Sequence, residues 1–90
     1  MPKYRSHKEV YALKIIEKRT IRDPGNLAYS HMLVPEDTRY APIDVTDAFV
    51  YKHEVNAPGY YVVYEDGYAS WSPVEAFENG YTVIEGQYKN

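Results

Sequence analysis

The sequence predicts an α+β domain: a small, mainly antiparallel β-sheet, open or barrel-like, carrying two short helices. Three stretches of the 90-residue chain support this. "EVYALKIIEK", residues 9–18, alternates as a strand does. "YYVVYEDGYASW", residues 60–71, places strand-forming residues on both sides of an Asp-Gly dipeptide, and "SPVE", residues 72–75, starts a helix directly after it. A chain this short has room for one core, because it buries only about 60 to 65% of its unfolded surface. Residues 1–90 are therefore read as a single domain, with a basic N-terminal arm over 1–8 and a short C-terminal tail over 86–90.

Along residues 9–18, Tyr11, Leu13 and Ile15 share one face. Val10, Ala12, Lys14, Ile16 and Lys18 share the other. Only the second face carries lysine near its middle, so the first is expected to face the core. "RDPGN", residues 22–26, concentrates turn formers and reverses the chain, and "LAYSHMLV", residues 27–34, is the return strand. Residues 34–42 read as a loop, in which Pro35 and Pro42 hold the residues before them extended. A short helix follows, capped by Asp44 or Thr46, with Asp47 in its first turn and Lys52 and His53 in its last, the order that suits the helix dipole. Phe49 and Val50 pack it down, and "NAPG", residues 56–59, ends the element.

For the hairpin, a two-residue turn at Asp66-Gly67 sets Val62 opposite Trp71, Val63 opposite Ser70, Tyr64 opposite Ala69 and Glu65 opposite Tyr68. Opposed residues share a face. Tyr60, Val62, Tyr64, Ala69 and Trp71 then form a buried face, while Tyr61, Val63, Glu65, Tyr68, Ser70 and Ser72 look outward. In the next helix Ser72 is the expected cap, Pro73 the first helical residue, Glu75 the partner in a capping box and Gly80 the left-handed exit. A helix of about seven residues does not persist alone in water, so Val74 and Phe77 must dock on the sheet. Residues 81–85 are a last strand. The expected core is Leu13, Ile15, Val62, Tyr64, Trp71 and Phe77.

Composition limits the chemistry. Apolar residues make up 44% and charged residues 26%, the balance of a folded globular chain. With no cysteine there is neither a disulfide nor a thiolate metal site, so self-association is the remaining common aid to a small core. The three histidines, His7, His31 and His53, lack metal-ligand spacing, and no metal or cofactor is expected. Ser30 beside His31 is no triad, because neighbours on a strand point to opposite faces. Glu36-Asp37 and Glu65-Asp66 lie in turns where water keeps them ionised, unlike a catalytic acid or base. These residues give no enzyme. No apolar run is long enough to span a bilayer, and "MPKYRSHKEVY" has no signal-peptide core, so a cytoplasmic location without membrane contact is expected.

Charge and aromatic content point to binding. Up to Arg22 seven Lys or Arg face two Glu, and thereafter three basic residues face eleven acidic ones, so a net +5 precedes a net −8. The basic segment is expected to lie against its own acidic body or that of a second subunit; eleven carboxylates close by disfavour duplex nucleic acid. Arg5, Lys8 and Lys14 are the candidate anion contacts. The eleven tyrosines are the compositional excess, and tyrosine combines stacking area with a polar rim and little rotamer entropy to lose. Tyr61, Tyr68 and Glu65, on the outward face of the hairpin, form the candidate recognition surface.

"KYRSHKEVYALKI" and "DAFVYKHEVNAPGYYVVYEDGYASWSPVEAFENGY" together resemble a group of small proteins encoded in tailed-bacteriophage and prophage genomes. That group carries a basic "KYR" opening, a first strand with a central alanine, and a later G-Y-x-V-x-Y-E-D-G-Y-x-S-x-S-P-x-x-A-F hairpin and helix. Residues 22–44 do not contribute. The resemblance implies an origin and an architecture, and carries no catalytic residues to transfer. Three functions fit the chain as read. The first is a small non-enzymatic phage-type accessory protein that binds a host or phage protein. The alternatives are a homo-oligomer that sequesters a small anionic nucleotide-like ligand, and an acidic mimic of DNA.

Overall fold

The computed structural model describes residues 1–5, 9–20 and 31–80, and residues 82–84 for their backbone. The elements in chain order are β1 (Lys3–Arg5), β2 (Glu9–Thr20), β3 (His31–Pro35), β4 (Ile43–Val45), α1 (Asp47–His53), β5 (Gly59–Tyr64), β6 (Ala69–Pro73), α2 (Val74–Gly80) and β7 (Thr82–Ile84). The described strands form one antiparallel sheet that curls into a half-barrel with two helices, a small α+β fold. The expected turn at 22–26, residues 27–30 of the return strand, Lys8 and the tail over 86–90 lie outside the described residues.

The long strand β2 is the spine. One of its edges takes β1 opposite residues 9–11 and then β3 opposite residues 15–20; the other takes β5 opposite residues 10–15. This arrangement alters the expected reading of the N-terminus. Lys3–Arg5 is no free arm: it is a strand held between β2 and β7. The basic segment does lie against its own carboxylates, with Lys3 2.8 Å and Arg5 3.3 Å from Glu9, and Lys14 3.9 Å from Glu36 and 3.8 Å from Glu78. Strand β4, a part of the chain read as loop and helix cap, pairs with β3 through Ile43, Asp44 and Val45.

The hairpin closes one residue differently from the expected turn. Tyr64 N–H donates to Tyr68 O and Gly67 N–H to Tyr64 O, each at 2.9 Å, so the loop is Glu65-Asp66-Gly67. Gly67 takes φ 92°, the left-handed region that three-residue hairpin loops require at this point. Asp66 Oδ1 accepts from Tyr68 N–H at 2.9 Å, which favours this loop over the tighter one. Because side chains alternate with period two, the slip exchanges the faces of the whole second arm. Trp71 now opposes Tyr61, Ser70 opposes Val62 and Ala69 opposes Val63. Trp71 is buried as expected, but it lies on the side of Tyr61 and away from Val62.

Both sides of the sheet are consequently packed. On one face Val10, Ala12, Tyr60, Val62 and Phe77 form a buried cluster flanked by Tyr4, Tyr64 and Val74. On the other, Ile15, Leu33, Val45, Val55 and Trp71 form a second, flanked by Phe49, Val50 and Tyr61 among others. The single core face expected for β2 is thus corrected: Val10 and Ala12 are fully buried with Leu13 and Ile15, whereas Tyr11 is 41% exposed. Among the expected core residues Leu13, Ile15, Val62, Trp71 and Phe77 are buried and Tyr64 is half-buried. Lysine at position 14 misled the pattern because its stem lies on one packed face while its amine reaches Glu36 and Glu78 at the rim.

Both expected helices form, but only α1 follows its local signals closely. Thr46 caps α1, its Oγ1 accepting from Phe49 N–H at 3.0 Å, and Lys52 and His53 occupy the last turn. Glu54 then adopts φ 51°, where Val55 N–H closes onto Val50 O at 3.0 Å. In α2 the helix begins at Val74, one residue later than expected, since Pro73 pairs with Gly59 as the end of β6. Ser72 Oγ donates to Pro73 O at 3.3 Å. Gly80 stays helical and does not take the left-handed exit. Phe77 docks as required.

Candidate functional site

The sheet register builds a row across four strands: Lys3 of β1 opposes Tyr11 of β2, Tyr11 opposes Val63 of β5, and Val63 opposes Ala69 of β6. This row is on the α1 side of the sheet, one step nearer the hairpin tip than the row Leu13, Tyr61 and Trp71. The inner row is covered, since Phe49 of α1 lies 5.9 Å from the Tyr61 ring. The outer row is not. Tyr11 is 41% exposed, and Val63 and Ala69 are partly open.

Tyr68 adjoins this strip at the hairpin tip and is 47% exposed. Its ring stacks on Tyr64 at 6.0 Å and 26°, and meets the His53 ring edge-on at 5.9 Å. Lys52 Nζ lies 5.5 Å from its centroid. At the other end Lys3 Nζ lies 5.6 Å from the Tyr11 centroid. Each tyrosine therefore presents one partly open ring with an ammonium group beside it, which holds the ring in place and adds a polar rim.

At the β1 end of the strip Lys3 and Glu9 compensate each other. The hydrogen bond to Glu9, with the Glu9 charge, raises the Lys3 amine above its usual range, and the reciprocal bond lowers the Glu9 carboxyl. Burial followed by the Lys52 charge lowers the His53 pKa, and its ring packs tilted against Phe49 and edge-on to Tyr68.

The sequence-expected surface is only partly assembled here. Glu65 and Tyr68 are exposed at the tip as expected. Tyr61 is half-buried beneath Phe49, and burial raises its phenol pKa. Its position follows from the register slip, which puts it beside Trp71. The candidate anion contacts do not converge. Arg5 is bonded to Glu9, whereas Lys14 is held between Glu36 and Glu78, on the order of 17 Å further along β2 at strand rise. Lys8 lies outside the described residues. Tyr11, Lys3, Val63 and Lys52 complete the strip, and the sequence could reveal them as neighbours only once the pairing of β1, β2 and β5 was known.

Three other titratable groups have partners that tie them into the fold. Tyr60 OH donates to Glu78 Oε2 at 2.7 Å, and burial with this bond pushes the phenol well above its ordinary range. Asp37, bound by the Arg39 side chain and its backbone N–H, falls to about 2. His31 Nε2 lies 2.7 Å from Asp47 Oδ1. Among the described residues no group of three metal-ligating side chains occurs, and no helix is long and apolar enough to cross a membrane. No family model, curated protein or solved structure matches the chain.

Proposed function

We propose that this chain is a small non-enzymatic accessory protein, of the phage-encoded kind its sequence resembles, which acts in the host cytoplasm by binding another protein. The contact surface is the strip of Tyr11, Val63, Ala69 and Tyr68, rimmed by Lys3, Lys52 and Glu65. The observation carrying this reading is that two large aromatics remain open at the hairpin end of the sheet: Tyr11 on the α1 face, beyond the row of Leu13, Tyr61 and Trp71 over which Phe49 packs, and Tyr68 at the tip, where its ring meets His53 of α1. Apolar and aromatic patches with polar rims are what protein contacts use. Sequestration of an anionic nucleotide receives less support, because Arg5 and Lys14 are already paired with carboxylates and lie apart. The DNA-mimic reading is weakened by the same pairing, in which Lys3 and Arg5 compensate Glu9 and Lys14 is shared between Glu36 and Glu78.

The test compares capture of host proteins by the wild type, a Tyr11→Ser/Tyr68→Ser variant and a Lys14→Ala variant altered away from the strip. Truncating an anchoring tyrosine costs about 1 to 2 kcal/mol of binding, so the double variant should lose on the order of 100-fold in affinity. The Lys14 variant should bind as the wild type does. Equal capture by all three would refute the assignment of the surface, and a nucleotide released on heating the purified protein would favour sequestration.

A further inference from the structure

We propose that β6 is a docking edge for a second copy of this chain, the two β6 strands pairing antiparallel about a two-fold axis through Ser70. The alternation of the ladder fixes which backbone groups are available. Tyr64 N–H bonds Tyr68 O, so Tyr68, Ser70 and Ser72 turn their backbone groups toward β5. Ala69, Trp71 and Pro73 turn theirs away, and among the described strands β6 pairs with β5 alone. The edge thus offers the N–H and C=O groups of Ala69 and Trp71, and ends at Pro73, which has no N–H.

Two properties select a second copy as occupant. First, the outward groups are self-complementary. With Ser70 opposite Ser70, each Ala69 exchanges both its N–H and its C=O with Trp71 of the other copy, and every outward donor and acceptor of the two residues is satisfied. A register centred on Trp71 instead sets Ala69 C=O against Pro73 and leaves it without a donor. Second, Ala-Ser-Trp-Ser-Pro carries no charge, so two copies meet without like-charge repulsion. Exposed edges are usually protected by a charged residue, as β4 is by its exposed Asp44. Helix α2 leaves the edge open, since it folds back so that Phe77 packs on Tyr60 and Tyr4.

The pair extends the sheet through both copies and sets their two binding strips on either side of the axis. It stands independently of the function proposed above, because it uses backbone edge groups and Ser70, not the tyrosines. A five-residue edge falls short of the roughly 800 Å² per partner of standard stable interfaces, so the dimer should dissociate at micromolar concentrations, on the order of 10 to 100 µM.

Sedimentation across about 5 to 500 µM, a range that brackets this constant, should show the wild type passing from one copy to two. Ser70 directly opposes its counterpart in a close, non-hydrogen-bonded pair, so Ser70→Asp and Ser70→Lys should each stay monomeric. An equimolar mixture of the two should dimerise again, an effect that a folding defect would not produce. Since the chain has no cysteine, Ser70→Cys gives a second reading: mild oxidation should link it to a dimer, while Asp44→Cys on the β4 edge stays monomeric. A wild type that remains monomeric throughout the range overturns the proposal. So do failed rescue in the mixture with both variants folded, and equal cross-linking of the two cysteine variants. The Tyr11→Ser/Tyr68→Ser variant should dimerise as the wild type does, which separates failure of the edge from failure of the binding strip.

Discussion

Trp71→Ala is expected to remove on the order of 3 to 5 kcal/mol of stability, the cost of deleting a buried aromatic ring from a packed core. Domains of this size have roughly 5 to 15 kcal/mol in total, so the melting transition should fall steeply or disappear. The indole is 9% exposed and packs with Ile15, Leu33, Val45 and Val55, which come from three strands and the segment after α1. Its other neighbour is Gly59. A Cβ there would approach the indole Cε2 to 2.6 Å and Ser72 O to 2.8 Å, so the ring occupies the space where position 59 would otherwise carry a side chain. Loss of the indole leaves a void that no adjacent side chain can fill from that direction. Thermal or urea denaturation measures the effect, and a midpoint unchanged from wild type would place the ring in solvent. Trp71→Phe retains most of the packing and should lose substantially less.

Phe77→Ala is expected to cost a similar amount, about 3 to 5 kcal/mol, on the opposite face of the sheet. Phe77 is 1% exposed, stacked on Tyr60 at a centroid distance of 4.2 Å and edge-on to Tyr4 at 4.7 Å. It is the buried residue of α2, a seven-residue helix that has little stability apart from the sheet. Hydrogen exchange in the variant should therefore show the α2 amides losing protection beyond the global change, whereas the α1 amides, on the other face and already open to local exchange because α1 has no buried residue, should change only with the global stability. The two clusters make a further demand. Milder changes, Trp71→Phe and Phe77→Leu, should combine additively within about 0.5 kcal/mol because they act on different faces. Strong coupling between them would mean one continuous core.

The parts of this fold that were legible in the sequence are those written locally. The alternation of β2, the Thr46 cap and charge order of α1, and the presence of a short helix directly after β6 each follow from residues within a few positions of one another, although Ser72 does not cap that helix and Pro73 ends the strand. What the sequence left concealed depends on pairing over distance. Tyr11 reads as core from its neighbours Leu13 and Ile15, but β1 and β5 carry it past the shelter of α1. Lys3–Arg5 reads as a charged arm, although charge does not prevent a three-residue strand whose lysine and arginine both reach Glu9. β4 has too few residues to signal itself.

The hairpin is the instructive case. Asp-Gly favours a two-residue turn in many contexts, yet Asp66 can also cap Tyr68 N–H and leave Gly67 as the left-handed residue of a longer loop. The choice differs by one residue, and it decides whether Tyr61 belongs to the recognition surface or to the core. Candidate sites inherited this ambiguity. Tyr68 and Glu65 sit at the tip and are exposed under either closure, whereas Tyr61 depends on the register entirely.

Everything assigned to the two faces, core and binding strip alike, depends on that closure. Non-hydrogen-bonded pairs in antiparallel strands bring their Cα atoms to about 4.5 Å, close enough for a strong Hα–Hα nuclear Overhauser effect. In a spectrum of the wild-type protein the account predicts such cross-peaks between Tyr61 and Trp71 and between Val63 and Ala69. Cross-peaks between Val62 and Trp71 and between Tyr64 and Ala69 would contradict it, because they belong to the two-residue turn and would return Tyr61 to the outward face.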